Sequence, residues 1–175
     1  MIDELAPREM VVQDIRKDDE IARALSPLPP EQGQLEAGRL VLTRFRQFVG
    51  EGRDFCLETT LSGRTYRRMF EDAKAAGYGI QLDYLMLPTV EHSIRRVADR
   101  VAAGGHDVPE DDLRRRFKVS LQNLFNLYRP VVDTWTLHAN EVLRPCVIAH
   151  GTATEMEVLD QTAFEKVRAD FSLTV

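Results

Sequence analysis

Short apolar segments alternate with amphipathic helical segments along this chain, and this alternation constrains its fold more than any other feature. One helical segment carries Val90, Ile94, Val97 and Val101 on a single face, the spacing of a helix that packs against a core. Strands separated by such helices are typical of a parallel sheet with helices on both faces, where ligands bind beyond the carboxyl ends of the strands. We therefore predict one α/β domain over residues 1–175, with strands at Met10–Ile15, Phe55–Glu58, Ile80–Leu87, Val131–Leu137 and Pro145–Ala149.

Length and charge narrow the classes of function. A chain of 175 residues and 20.0 kDa is long enough for one ordinary hydrophobic core. Its formal net charge of -5 does not favour nucleic-acid binding, which needs a basic face. The adjacent arginines Arg114–Arg116 are the local exception.

The cysteines and the termini predict the compartment. Cys56 and Cys146 lie far apart in apolar segments, a spacing that suggests neither a metal site nor a disulfide framework. The start of the chain has no basic leader, and no segment approaches the ~20 apolar residues of a membrane span. We expect a soluble cytoplasmic protein.

The segment Phe55–Gly63 carries the strongest signal for a site. Its apolar strand ends in Glu58, Thr59 and Thr60, just before a turn at Ser62 and Gly63. A carboxylate at the end of an apolar strand is costly unless it is paired, solvated or coordinating a ligand. A structural hydrogen bond to a neighbouring loop explains Glu58 equally well.

Asp19 is a second candidate, because it stands where a predicted strand passes into a predicted helix. From that position a carboxylate could accept a proton from a substrate hydroxyl. A helix cap is the simpler explanation, since aspartate is a preferred capping residue.

Several arginines could bind phosphate. Arg96 and Arg100 lie one helical turn apart and could clamp phosphate oxygens, although a solvated helix face is the alternative. The three residues Arg114–Arg116 cannot all point the same way on a helix. Between the two groups of arginines, Gly104–Gly105 forms a loop that could act as the hinge of a lid. His106 lies in the same loop, where a histidine is more often a surface residue than a catalytic one.

The sequence contains no recognisable phosphate-binding loop. Such a loop reads G-x-x-x-x-G-K-[ST], so that backbone amides and a lysine hold the phosphates. The G-x-x-x-x-G of this chain, Gly33–Gly38, is followed by Arg39 and Leu40 and lies in a helical apolar pattern.

Taken together, the blocks from about Ile15 to Gly151 resemble the zeta toxin family of P-loop kinases. The resemblance implies a P-loop-kinase-like sheet, with Asp19 of the stretch Lys17–Glu20 as the general base toward the acceptor hydroxyl. It implies that Glu58, Thr59 and Thr60 hold the acceptor. Its arginine-bearing helices imply phosphate contacts from Arg96, Arg100 and Arg116, and substrate contacts from Arg115 and His106.

The resemblance also implies ligands and partners. Members similar to this chain use ATP and Mg²⁺ to phosphorylate a sugar nucleotide such as UDP-N-acetylglucosamine, and an antitoxin is a possible partner. Close relatives have Asp-Asn-Ser where this chain has His138–Asn140. Asn140 is therefore the residue of this stretch to which the resemblance assigns cofactor binding.

The front of the chain departs from the family pattern. Eighteen residues precede Asp19, and Arg8–Ile15 matches the second strand of the family. We therefore predict that the first central strand and the Walker A loop are missing, which would leave backbone groups on two neighbouring strands unpaired.

Two functions follow from these predictions. The first is phosphoryl transfer from ATP to the hydroxyl of a small acceptor, impaired because the loop that holds the phosphates is absent. The alternative is a non-catalytic remnant or binding module that associates with a partner, such as one that donates a strand.

Overall fold

The computed structural model describes residues 8–13, 30–105, 107–140 and 145–173. Its strands are β1 (Arg8–Gln13), β2 (Phe55–Glu58), β3 (Tyr78–Met86), β4 (Thr134–Asn140), β5 (Pro145–Gly151) and β6 (Met156–Val158). Its helices are α1 (Pro30–Glu51), α2 (Thr65–Ala75), α3 (Val90–Ala102), α4 (Glu110–Asn123) and α5 (Gln161–Phe171), and a π-helical turn at Leu124–Tyr128 continues α4. In these ranges, no helix has the length and apolar character needed to cross a membrane.

The strands form one sheet in the order β2-β1-β3-β4-β5-β6. The first four strands are parallel to one another, whereas β5 and β6 each run antiparallel to the strand before them. The predicted α/β class, with parallel strands and helices, is confirmed. The antiparallel end of the sheet was not predicted, because the apolar pattern of a strand does not show its direction.

The strand β1 lies inside the sheet, where it pairs with a parallel strand on each side. Met10 is opposite Phe55 of β2 and also opposite Ile80 of β3. The sequence predicted that Arg8–Ile15 corresponds to the second strand of the family and that a central strand is missing. In the described sheet, β1 pairs with both of its neighbours and satisfies backbone groups of each. Whether the chain lacks a strand that its family has stays a prediction.

The third strand is buried on one face only. Tyr78, Ile80, Leu82 and Tyr84 are buried, while the residues between them are exposed or half-buried. Side chains alternate between the two faces of a sheet, so the four buried residues share one face of β3. The buried face of the sheet is continued by Trp135 and Leu137 of β4.

Side chains of α1, of the π-turn and of α5 pack on this buried face or on one another. From α1, Phe45 meets Phe55 with ring centroids 5.4 Å apart. From the π-turn, Phe125 meets Trp135 at 5.4 Å and Phe164 of α5 at 6.3 Å. The hydrophobic core therefore lies between one face of the sheet and the helices, and the carboxyl ends of the parallel strands remain at one edge of this layer.

A polar tie joins the beginnings of β3 and β4. The Asp133 carboxylate accepts from Lys74 Nζ at 2.6 Å and from the Ile80 N–H at 2.8 Å. Partial burial raises the pKa of Asp133, but the hydrogen bonds from Lys74 and Ile80 outweigh it and leave this pKa below its ordinary value.

This tie predicts an acid-dependent part of the stability. Because the pKa of Asp133 is lower in the folded chain, its stabilising contribution is present above the unfolded pKa, about 4, and is lost as the pH falls through the folded pKa. We expect Asp133→Asn to flatten the fall of unfolding free energy at acid pH. Urea unfolding at several pH values measures this, with Asp170→Asn, at an exposed position of α5, as the control. An unchanged pH dependence would contradict the expectation.

Candidate functional site

The carboxyl ends of the four parallel strands meet at one edge of the sheet. In the register of the sheet, Gln13 of β1 is opposite both Glu58 of β2 and Asp83 of β3, and β3 and β4 extend beyond this level to Met86 and Asn140. Ligands of parallel α/β sheets bind beyond such an edge. The edge therefore contains two of the predicted site segments, the one that begins at Glu58 and the one that ends at Asn140.

The chain leaves β2 in a tight loop over residues Thr59–Gly63. The Leu61 N–H donates to Thr59 Oγ1 at 3.2 Å, and the hydroxyls of Thr60 and Ser62 are 2.9 Å apart. Leu61 is only 1% exposed and has φ +51°, in the left-handed region that non-glycine residues rarely adopt. Such strain persists only where the surrounding structure fixes it, and it is frequent at functional sites.

The predicted acceptor-holding residues occupy different positions in this loop. Glu58 is half-buried at the end of β2, and Thr60 is exposed. Thr59 is 5% exposed, and its hydroxyl is engaged with Leu61. Thr59 therefore shapes the loop, whereas Glu58 and Thr60 are the residues that a ligand can reach. Their binding of an acceptor stays a prediction.

Two side chains, one at the end of α4 and one in the π-turn, donate hydrogen bonds to backbone carbonyls of the same loop. Asn123 Nδ2 donates to the Leu61 carbonyl at 2.7 Å, and the Tyr128 hydroxyl donates to the Gly63 carbonyl at 2.5 Å. Burial raises the pKa of Tyr128 to about 12, with a smaller contribution from Tyr66. The hydroxyl therefore remains a donor at all ordinary pH values. Sequence patterns gave no signal for these contacts.

The predicted phosphate-binding arginines Arg96 and Arg100 lie on α3, which follows β3. Arg96 is exposed and Arg100 is half-buried. The helix ends at Ala102, Gly104 after it has φ +81°, and the Gly105 N–H donates to the Arg100 carbonyl at 2.7 Å. A Cβ atom on Gly105 would lie 2.3 Å from Arg100 Cγ. The glycine pair therefore lets the chain pack closely on Arg100; a role as hinge stays a prediction.

The three adjacent arginines of α4 point to different partners. Arg114 bridges the two helices, with Glu110 Oε1 at 2.7 Å and Glu91 of α3 at 3.3 Å. Arg115 and Arg116 both approach Asp112, at 3.0 Å and 3.7 Å. This arrangement confirms that the three cannot all face one site. The sequence predicts contacts with the phosphate or the substrate from Arg115 and Arg116. Neither of these two arginines contacts Glu91.

Charge pairing at the helix junction shifts two pKa values. The pKa of Glu91 is lowered by its backbone hydrogen bond, by the Thr89 hydroxyl and by Arg114. The pKa of Arg114 is raised by its hydrogen bonds to Glu110 and Glu91. The interaction between α3 and α4 therefore includes a charged contact between Arg114 and Glu91.

Two predicted residues, Asp19 and His106, lie outside the described residues, so their placement is not part of the site described above. Asn140 ends β4 at the carboxyl edge and is half-buried. Its assignment to the cofactor side stays a prediction.

Sequence reasoning missed a polar pair on the face of the sheet opposite the core. His138 Nε2 lies 3.2 Å from Asp83 Oδ1, and the two side chains are only 21% and 16% exposed. Gln81 Nε2 donates to the other carboxylate oxygen at 3.0 Å. The alternation of polar and apolar residues from Ile80 onward could have shown that this face is polar. No group of three or more possible metal ligands occurs in the described part of the chain.

A shallow groove lies at the opposite end of β4 from the predicted site. Its volume is about 420 Å³, and its walls come from β4, β5 and β6 and from the turn between the last two. The lining residues include Thr134, Thr136, His150, Thr152 and Glu157. Because the groove is open and remote from the carboxyl edge, we do not place the proposed chemistry in it.

Comparison with known proteins identifies the fold and the family. The model of the family described as Zeta toxin matches residues 15–138. An uncharacterized protein of Haemophilus influenzae is 31% identical over 106 residues, which cover 61% of this chain and 76% of that protein.

Solved structures share the fold at low sequence identity. A chain of the AvrRxo1-ORF1:-ORF2 complex, crystallised with ATP, matches with a TM-score of 0.73 and 16% identity, over 99% of this chain and 66% of that one. A structure of the PezAT chromosomal toxin-antitoxin system of Streptococcus pneumoniae matches with a TM-score of 0.53 and 10% identity, over 78% of this chain and 68% of that one. The chain thus spans about two thirds of the AvrRxo1 chain.

Proposed function

This chain belongs to the zeta toxin family, and from that premise we propose that it binds a small hydroxyl-bearing acceptor at the carboxyl edge of the sheet and supports its phosphorylation. The kinase-like fold is common to the family match and to the solved structures. The observation that carries the proposal is the strained loop Thr59–Gly63, which follows β2 beside the central strand. Glu58 at the end of β2, together with Thr59 and Thr60 of this loop, is the group expected to hold an acceptor.

The proposed roles follow the order of the chain. Asp19 accepts the proton of the acceptor hydroxyl, and Glu58 and Thr60 orient the acceptor. Thr59 keeps the loop in shape through its hydrogen bond to Leu61. Positive charge for the transferred phosphoryl group comes from the arginines of α3 and α4, which are Arg96, Arg100, Arg115 and Arg116. Further contacts come from His106 in the loop between these helices and from the side-chain amide of Asn140 at the end of β4.

The sequence of this chain provides no phosphate-binding loop that would fit the phosphates of ATP. The sequence contains no G-x-x-x-x-G-K-[ST], and its G-x-x-x-x-G segment, Gly33–Gly38, lies inside the helix α1. A helix interior has no free backbone amides to offer to phosphate oxygens. We therefore derive no step through ATP or Mg²⁺, and we propose that phosphoryl transfer by this chain alone is weak.

The acceptor and the partner are proposed by family resemblance. A UDP-amino sugar such as UDP-N-acetylglucosamine supplies the hydroxyl that the loop would hold. The PezAT structure is of a toxin-antitoxin system, which supports an antitoxin-like protein as a partner of this chain. The alternative is a binding module without catalysis, which the same lack of a phosphate loop favours.

Calorimetric titration separates these functions. We expect UDP-N-acetylglucosamine to bind the purified chain and magnesium ATP to bind weakly, with ATP binding lost in Arg100→Ala. Arg95→Ala, an exposed neighbour on the same helix, is the matched control. ATP binding that survives Arg100→Ala would contradict the assigned phosphate contact. A chain that binds neither ligand would contradict the proposed function.

A further inference from the structure

The π-turn that ends α4 lies directly behind the candidate acceptor loop. The turn covers Leu124–Tyr128, and the Arg129 N–H donates to the Leu124 carbonyl five residues earlier at 2.8 Å. Such single π-turns inside helices are rare and are frequent at functional sites. The π-turn itself is part of the core, because Leu124, Phe125 and Tyr128 are buried.

The π-turn brings two distant positions of the helix to one side. Asn123 and Tyr128 are five residues apart, and on a regular α-helix such positions differ by about 140° around the axis. A π-turn takes in roughly one more residue per turn, so positions five apart differ by only about 30° around the axis. This geometry lets Asn123 and Tyr128 contact the same loop.

The two contacts hold both ends of the strained part of that loop. Asn123 binds the carbonyl of Leu61, the residue in the left-handed conformation, and Tyr128 binds the carbonyl of Gly63. The Tyr128 ring is itself fixed against Phe70 of α2, with centroids 5.5 Å apart. The loop therefore takes its shape from α4 and the π-turn, elements more than 60 residues away in sequence, since the two bonds span 62 and 65 residues.

We propose that the π-turn is the positioning element of the acceptor site, with Asn123 and Tyr128 as its positioning residues. They keep Leu61 in its strained conformation and thereby fix the direction in which Glu58 and Thr60 leave the sheet. The inference rests on the proposed function for the role of the loop, whereas the control of loop conformation by the π-turn stands on the hydrogen bonds alone.

The test compares variants that each remove one hydrogen-bonding group. Tyr128→Phe keeps the ring and removes the hydroxyl, and Asn123→Ala removes the amide. Tyr84→Phe is the matched control, because it likewise removes one buried tyrosine hydroxyl, which contacts Ser120 Oγ at 2.7 Å. Hydrogen exchange of the 59–64 segment and calorimetric affinity for UDP-N-acetylglucosamine are measured for each protein.

We expect exchange in the 59–64 segment to rise about tenfold in Tyr128→Phe and in Asn123→Ala, as for the loss of one buried hydrogen bond. Affinity for UDP-N-acetylglucosamine should fall by about fivefold or more, and the Tyr84→Phe control should change neither quantity. Unchanged exchange in both variants would overturn the proposal. Faster exchange with unchanged affinity would overturn the positioning role, since the loop would then be held only for stability.

Failure of the proposed function would look different. If the wild-type chain does not bind UDP-N-acetylglucosamine, the proposed acceptor is wrong, whereas the exchange comparison still decides whether the π-turn sets the conformation of the loop.

Discussion

Replacing Trp135 by alanine is expected to lower the unfolding free energy by about 3–5 kcal/mol, a large part of the ~5–15 kcal/mol that a domain of this size has. Trp135 is 1% exposed on the covered face of β4. Its ring packs against Phe125, and its Nε1 donates to the Thr152 carbonyl at 2.9 Å. The substitution removes the largest buried side chain of the core and leaves the carbonyl without this donor.

Urea unfolding followed by circular dichroism measures the effect of Trp135→Ala. Leu159→Ala is a suitable control, because Leu159 is 55% exposed and its truncation should cost little. A loss of less than about 1 kcal/mol in Trp135→Ala would show that the packing of β4 against the π-turn does not stabilise the chain as described.

The second large effect concerns the proposed chemistry. Asp19→Ala should reduce any phosphoryl transfer to UDP-N-acetylglucosamine by about 10²–10⁴-fold, the usual contribution of a general base. The reason is that the acceptor hydroxyl would lose the group that takes its proton during transfer. Radiolabelled phosphate transfer from ATP, measured over long incubations, suits an activity that is expected to be weak.

The neighbouring residue provides the matched control for Asp19. Asp18→Ala removes the same charge one position earlier in the chain, so an effect of net charge alone would appear in both variants. Transfer that continues at the wild-type rate in Asp19→Ala would refute the assignment of the base. A wild-type chain without transfer that still binds the acceptor would favour the binding module.

Much of the candidate site could be predicted from local sequence. The strand that ends at Glu58 and the turn at Gly63 follow from an apolar run, a carboxylate and a glycine within nine residues. The helix that carries Arg96 and Arg100 follows from the spacing of its apolar residues, and the structure has it at Val90–Ala102. The absence of a phosphate loop is also a property of the sequence, since that motif is a short contiguous pattern.

Other parts of the site depend on contacts between distant residues. No local pattern pairs Asp83 with His138, or Asp133 with Lys74, because these partners are 55 and 59 residues apart. The position of β1 between β2 and β3 could not be predicted for the same reason: an apolar strand has the same pattern wherever it lies in a parallel sheet. The π-turn escaped prediction because its apolar residues continue the helical pattern of α4.

The sequence by itself determined the alternation of strands and helices from β2 to β5 and the chemical groups at the end of β2. These properties follow from backbone preferences and from the periods of apolar residues, which act over a few neighbouring positions. Only the tertiary structure decided the order of the strands, the antiparallel end of the sheet and the conformation of the Thr59–Gly63 loop. That loop adopts a strained backbone at Leu61 because Asn123 and Tyr128, brought to one side by the π-turn, bind its carbonyls from across the fold.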